Sequence, residues 1–441
     1  MPADPHLKAQ IDLILHSHED AAAFPENWEE VGDVDYLYRK QVILVRERDA
    51  DRVVDVLRPI FGEAGGEDLP EGEPPRIERH RVVGGVLRIT MPSLQPPVPE
   101  VLDILDEQLG RGVGRPDLVL YVSPHACPAS EPIDVPPGTV DPFPPPGLDA
   151  CCCRPDHCIP RPGCDGDGVS VSVVDTGLLA DAATDHPWLA GVNGAPEDPY
   201  DPGGDIRPYA AHGTFVAGCL RCAAPKVSAF VERAFDIAGA DYESNLAPSL
   251  EDALDRSPDI LVFTFTTTSR QDQSLLTFDD IYDRRIRYLK GVVVIVPAGN
   301  DGQPRPNWPA AYDWVVSVGA LSASWRDRAR FSNFGGWVDV FAPGEDIVNA
   351  FATGTYVCNE PPVGEHREFY GMAKWSGTSF STPIVAGLIA ARMSTTGENG
   401  QQAADSLLRL GRSQAIPGVG AVLYPGQACC EVGRRHQAGV G

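Results

Sequence analysis

No run of 18 apolar residues occurs in this 441-residue chain, so a transmembrane helix is not expected. The start, MPADPHLKAQIDLILHSHED, lacks a basic segment followed by a long apolar stretch. A secretory leader is therefore not expected, and the simplest address is the cytoplasm. Positive charge is scarce: 36 Lys plus Arg stand against 62 Asp plus Glu, a formal net charge of −26. A chain this acidic has no global electrostatic reason to bind nucleic acid or an anionic membrane. No internal repeat is visible.

Cysteine is present in odd number, 11, but paired C-x₂-C spacing around CCCRPDHCIPRPGC is missing. That segment holds Cys151, Cys152, Cys153, Cys158, Cys164 and His157. Three readings stay open: a zinc site, a disulfide-bearing or redox-sensitive loop, and plain thiols. Plain thiols come first, because disulfides do not persist in a reducing compartment.

The apolar fraction, 43%, is ample for a packed core. Three regions differ in composition. Residues 1–123 carry the β-rich QVILVRE, then helical spacing of Val53, Val54, Leu57 and Ile60. RHRVVGGVLRITM reads as one or two strands. Next comes an amphipathic helix with Val101, Leu102, Leu105 and Leu109 on one side, and last the strand PDLVLYVS. A β-α-β-β-α-β order predicts a small α+β, ferredoxin-like domain. Residues 124–168, rich in Pro and Cys, predict a linker or extended segment. Residues 169–425 contain VSVSVVDTG, DILVFTF, GVVVIVPAGN and WVVSVGAL. Continuous Val/Ile-rich runs fit strands buried on both faces, which predicts an α/β fold with a doubly wound, mostly parallel sheet. Residues 426–441 are Gly-rich and read as a frayed tail.

Serine is a weak nucleophile until a base takes its proton and a carboxylate orients that base. Asp175 ends the strand VSVVDTG, where a doubly wound sheet gathers its functional groups. His212 opens HGTFVAG, a helix start. Ser379 lies in SGTSFSTPIVAGLIAA, before another helix, with Pro383 expected in the first turn. Backbone N–H groups at such a terminus stabilise an oxyanion, and the Asn300 amide at the end of VVVIVPAGN supplies a second donor. Each piece alone has a plainer reading: a strand-end turn, a structural histidine, a helix-entry tripeptide, an Asn-Asp-Gly turn. Together in one α/β region they carry more.

These four motifs resemble those of the subtilisin-like serine peptidases (subtilases, peptidase family S8), in the same Asp, His, Ser order. WPAAYDWVVSVGAL and ARFSNFGGWVDVFAPGEDI are similar to the family's segment between Asn and Ser. The resemblance covers roughly residues 169–400. It implies an endopeptidase acting on a peptide or protein substrate, with Asp175 orienting His212, His212 as base then acid, Ser379 as nucleophile and Asn300 at the oxyanion. It implies a cis Trp308–Pro309 bond, and a propeptide-like role for residues 1–123, for which an independent small domain is the alternative. The chemistry requires no cofactor; no acidic cluster can be assigned as the family's calcium loops, and structural calcium stays open. Thr264, Phe265 and Thr266 stand where the family has Ser-Leu-Gly along the substrate cleft. With Ala298 and Gly299 they are the expected substrate-binding residues, and Thr266 is expected to narrow the pocket before the scissile bond. The competing readings are a subtilase-fold binding module kept inactive by its N-terminal region, and a zinc-regulated scaffold.

Overall fold

A computed structural model describes residues 4–61, 77–122, 131–143, 164–235 and 238–428. The N-terminal part opens with α1 (Pro5–Ser17), β1 (Ala21–Phe24) and the single-turn α2 (Trp28–Val31). The expected β-α-β-β-α-β series follows: β2 (Tyr36–Arg46), α3 (Ala50–Phe61), β3 (Glu78–Val83), β4 (Val86–Thr90), α4 (Val98–Leu109) and β5 (Gly114–Tyr121). Its strands line up as β5-β2-β4-β3 and pair antiparallel. Val53, Val54 and Leu57 of α3 and Val101, Leu102 and Leu105 of α4 are buried. Both helices therefore lay one apolar stripe on the sheet, as their spacing predicts.

Within the Pro-rich segment, β6 (Ile133–Asp134) is the one short strand among the described residues. Cys151, Cys152, Cys153, Cys158 and His157 lie outside the described residues. Cys164 is disulfide-bonded, which departs from the expectation of plain thiols.

The large sheet follows. β7 (Ser170–Asp175) is its first strand in chain order and lies inside the sheet. After it come β8 (Leu178–Leu179), the one-turn α5 (Ala182–Asp185), β9 (Val192–Gly194), β10 (Pro196–Glu197), α6 (His212–Ala223), β11 (Ser228–Arg233) and β12 (Ala240–Tyr242). Then come α7 (Glu243–Asp255), β13 (Ile260–Phe263), α8 (Leu276–Arg284), β14 (Val293–Pro297), β15 (Val316–Leu321) and β16 (Val340–Pro343). A hairpin of β17 (Ile347–Val357) and β18 (His366–Trp375) leads into α9 (Thr378–Thr396) and α10 (Gly400–Ser413). The strand order is β16-β15-β14-β13-β7-β11-β9, all parallel. Every residue of β13 to β16 is buried. Strands covered on both faces need no polar side, so their sequences read as unbroken apolar runs. The order reverses beside β7, which puts the C-terminal end of β7 at a switch point, where open α/β sheets hold their sites.

α9 is apolar on nearly all sides because it is the central helix. Gly387 lets it press against α6: a Cβ there would lie 2.5 Å from the Ala223 Cβ. Pro383 is not in the first turn, as expected, but sits inside α9, because the helix starts at Thr378. Lacking an N–H, it cannot return the usual bond to the Ser379 carbonyl.

The two parts share a sheet edge. β5 pairs antiparallel with β12, Tyr121 opposite Ala240 and Val119 opposite Tyr242. On its other side Tyr121 bridges Thr266, with N–H···O distances of 3.1 and 3.0 Å. Arg115 reaches Asp279, Arg270 reaches Asp103 and Asp106, and Arg305 reaches Asp35. One apolar cluster runs across the seam, from Leu7, Ile11 and Trp28 to Tyr121, Ala240 and Tyr242.

Candidate active site

Every functional side chain sits at the end of an element. Asp175 closes β7, Thr264 follows β13, Asn300 follows β14, His212 opens α6, and Ser379 lies in the first turn of α9. At a helix start the backbone N–H groups have no intrahelical partner and point outward.

Asp175 is fully buried and is met by three hydrogen-bond donors. Oδ1 takes the Thr176 amide (2.6 Å) and His212 Nδ1 (2.9 Å). Oδ2 lies 3.0 Å from the same His212 nitrogen and takes the Thr264 hydroxyl (2.6 Å). With Nδ1–H facing the carboxylate, Nε2 is the ring nitrogen left to accept a proton. The imidazole is packed edge-on against Trp375 and beside Phe380, each at 5.3 Å between ring centres.

Ser379 does not meet His212. Its hydroxyl donates to the Val122 carbonyl (3.0 Å) and lies 3.2 Å from the Thr264 carbonyl. His212 Nε2 is buried and without a hydrogen-bond partner. A hydroxyl has one proton, and here it points to the end of β5 rather than to His212. The Val122 amide donates to Gly239 O (2.9 Å). The run from Val119 to Val122 is therefore held between two backbone edges and delivers a carbonyl to the Ser379 hydroxyl.

Asn300 Oδ1 accepts both the amide and the hydroxyl of Thr378, each at 2.9 Å. These bonds fix which way the amide faces, with its NH₂ as the donor end. Ala298 and Gly299 are tied in beside it. Asn333 Nδ2 donates to Ala298 O (3.0 Å), and the Asn333 amide donates to Gly299 O (2.9 Å). Gly299 has φ of +96°, and a Cβ there would meet Asn307 and Asn333. The Thr266 hydroxyl would lie 3.3 Å from that same position, so its side chain faces the Gly299 wall.

Two of the expected cleft residues act differently. Phe265 is fully buried and turns its ring onto Phe263, Phe235 and Phe278. Side chains alternate along an extended chain, so the residue between Thr264 and Thr266 faces the core. Thr264 commits its hydroxyl to Asp175 and offers the cleft only its carbonyl. Neither this orienting role nor the arrival of Val122 is foreseen from the sequence; a hydroxyl at the end of the strand beside β7 was the available hint for the first. The Trp308–Pro309 bond is cis, as the resemblance implies. Among the described residues no group of three or more His, Cys, Asp or Glu is placed to hold a metal ion.

Residues 166–404 match the Subtilase family, Peptidase_S8. A thermophilic serine proteinase of Bacillus sp. (strain AK1) is 32% identical over 243 residues, 53% of each chain. Thermitase of Thermoactinomyces vulgaris is 28% identical over 236 residues, 51% of this chain and 74% of thermitase. The match thus spans about half the length of the Bacillus relative. In fold the chain is similar to fervidolysin from Fervidobacterium pennivorans, described as a keratinolytic enzyme related to subtilisin. That likeness has a TM-score of 0.53 at 20% identity and covers 89% of this chain and 61% of fervidolysin. Since the family match takes in more than half of its residues, this chain belongs to the subtilase family of serine peptidases.

Proposed function

We propose that this chain is a serine endopeptidase, held inactive by its own N-terminal part until it cuts itself just after Val122. The observation that carries the reading is the Ser379 hydroxyl against the Val122 carbonyl, at the end of a strand paired on both edges. Extended backbone bound by strand pairing is the form in which a protease cleft takes its substrate.

In this reading His212 takes the Ser379 proton at Nε2 as Oγ attacks the substrate carbonyl. Asp175 holds the ring tautomer and balances the imidazolium that forms. Asn300 Nδ2 and the Ser379 amide receive the oxyanion. His212 then returns the proton to the leaving amine, and water releases the acyl group by the same route. The hydrogen bonds that Thr176 and Thr264 donate to Asp175 keep that carboxylate aimed at His212.

The N-terminal part supplies the block. It fills the cleft with Tyr121 and Val122, and the Val122 carbonyl accepts the Ser379 hydroxyl hydrogen bond that His212 would otherwise accept. The competing reading, an inert binding module, gives no reason for a serine, a histidine and an aspartate to converge beside a delivered carbonyl. Mass spectrometry of the purified chain, with and without Ser379→Ala, tests the proposal together with fluorophosphonate labelling. The expected result is a cut near Val122 and a label on Ser379. A wild-type chain that stays uncut, and whose Ser379 stays unlabelled once the N-terminal part has been removed by another protease, would overturn it.

A further inference from the structure

A second carboxyl group lies behind the catalytic aspartate. Glu197 ends β10, which runs parallel to β8 a few residues beyond Asp175. Its Oε1 accepts the Ala211 amide at 3.0 Å, while Oε2 is shut off from solvent and unpaired. The Thr176 hydroxyl lies beside the group. Burial pushes this acid up to about 8; the Ala211 amide pulls the other way and the Asp175 charge adds to the push. At neutral pH it therefore holds its proton.

What it holds in place matters more. Ala211 is left-handed, with φ of +63°, and caps α6 without any side-chain hydrogen bond. A residue with a Cβ is strained in that conformation and keeps it only where its surroundings impose it. The next residue is His212. The one after, Gly213, donates its amide to Thr176 Oγ1 at 3.0 Å. The backbone on both sides of the catalytic histidine is thus tied to side chains that flank Asp175.

We propose that Glu197 is a positioning residue for the general base: it fixes Ala211 while Thr176 fixes Gly213, and this clamp aims the His212 ring at Asp175. The inference rests on the peptidase reading above for its kinetic test. Glu197 touches neither substrate nor the reacting atoms. Because the acid is neutral, Gln at this place keeps its size, its charge and its acceptor oxygen.

The test compares wild type, Glu197→Ala and Glu197→Gln, each made as the full chain and left to process itself. Turnover of a peptide substrate is expressed per active site titrated with a fluorophosphonate. Misplacing a catalytic group by about 1 Å costs on the order of 10²-fold. Glu197→Ala is expected to lose roughly ten- to a hundredfold in kcat per site at unchanged KM, and Glu197→Gln to recover most of it. A second readout needs no turnover. The proton between His212 Nδ1 and Asp175 gives a far-downfield NMR resonance, which should shift or vanish with Ala and persist with Gln. Fewer titratable sites with normal kcat per site would overturn the proposal. So would a loss confined to KM, Gln as slow as Ala, or an unmoved resonance in the Ala variant. A wild type that neither labels nor turns over, yet shows that resonance responding as expected, would sink the peptidase reading and leave the clamp standing.

Discussion

Ser379 Oγ donates its hydrogen to Val122 O at 3.0 Å, across 257 residues of sequence. Ser379 and the end of the N-terminal part are therefore direct partners, and His212 Nε2 goes without one. The first consequence is a defined product. Wild-type chain should yield an N-terminal fragment ending at Val122 or one residue later, and Ser379→Ala should remain a single chain. Intact-mass analysis reads both. A fragment ending deep within the Pro-rich residues 131–143 would place the cut elsewhere and detach it from this contact.

The amide of Asn300 is oriented by two bonds from Thr378 to its oxygen. Asn300→Ala should lower kcat by roughly 10²–10³ with little change in KM, which is the loss subtilisin itself suffers when its side-chain oxyanion donor is removed. A defect appearing only in KM would assign Asn300 to ground-state binding.

The seam between the two parts should respond to pH. Asp117 on β5 accepts the amide and hydroxyl of Ser244, at the start of α7. Next to Ser244, Glu243 accepts the amide and hydroxyl of Thr277. Burial pushes Asp117 up to about 6 and Glu243 up to about 8. When the N-terminal part leaves, water returns both toward ordinary carboxylate values near 4. The docked state then holds more protons than the separated one, so docking is favoured fully below about pH 4. That advantage is lost as pH rises through 6 and then 8. Inhibition by the N-terminal part added in trans should weaken between pH 5 and pH 9. An inhibition constant that is flat or tightens over that range would contradict the account.

Arg270 has a side chain only 6% exposed and joins Asp103 and Asp106 of α4. Arg270→Ala removes a charge-assisted bond to Asp106, worth roughly 1–3 kcal/mol. The trans inhibition constant should rise about ten- to a hundredfold, and less so at high salt. Unchanged inhibition would mean that the apolar seam around Tyr121 and Tyr242 carries the docking.

Thr266 faces the Gly299 wall. Forcing a bulky side chain past it costs about 1–3 kcal/mol, or roughly tenfold to a few hundredfold in kcat/KM. Small residues before the scissile bond should be preferred, and Thr266→Gly should widen acceptance toward Phe and Leu. A peptide-library profile decides this; a preference for Phe or Tyr in wild type, unmoved by the substitution, would clear Thr266 of the role.

Much of this architecture was legible because burial writes itself into composition. VVVIVP and VSVGAL have no polar alternation, so both faces had to be covered. Asp175, Asn300 and His212 could be found because each ends or begins such a run. The antiparallel seam was not legible. β12 is the three residues Ala240–Tyr242, too short for any period, and nothing local in it points to a partner about 120 residues earlier. Glu197 was equally silent, since EDPYDPGGD reads as a polar loop and its burial depends on how β10 settles beside β8. The hydroxyl of Thr264 was visible, but a strand residue's facing depends on register, and one step decides between cleft and core.

Eight residues separate Val122 from Glu131. Glu131 accepts the Tyr356 hydroxyl and the Asn359 amide, and β6 adds a third strand to the β17–β18 hairpin. Before any cut, this short tether holds the blocking strand at an effective concentration on the order of millimolar. A cut near Val122 leaves β6 on the catalytic side and turns a folded-in contact into a complex of two separate molecules. From then on occupancy of the cleft is set by how much of the pair is present. On the proposed self-cleaving reading, the processed pieces stay silent when crowded together and wake when spread out, so dilution itself would be the signal that starts proteolysis.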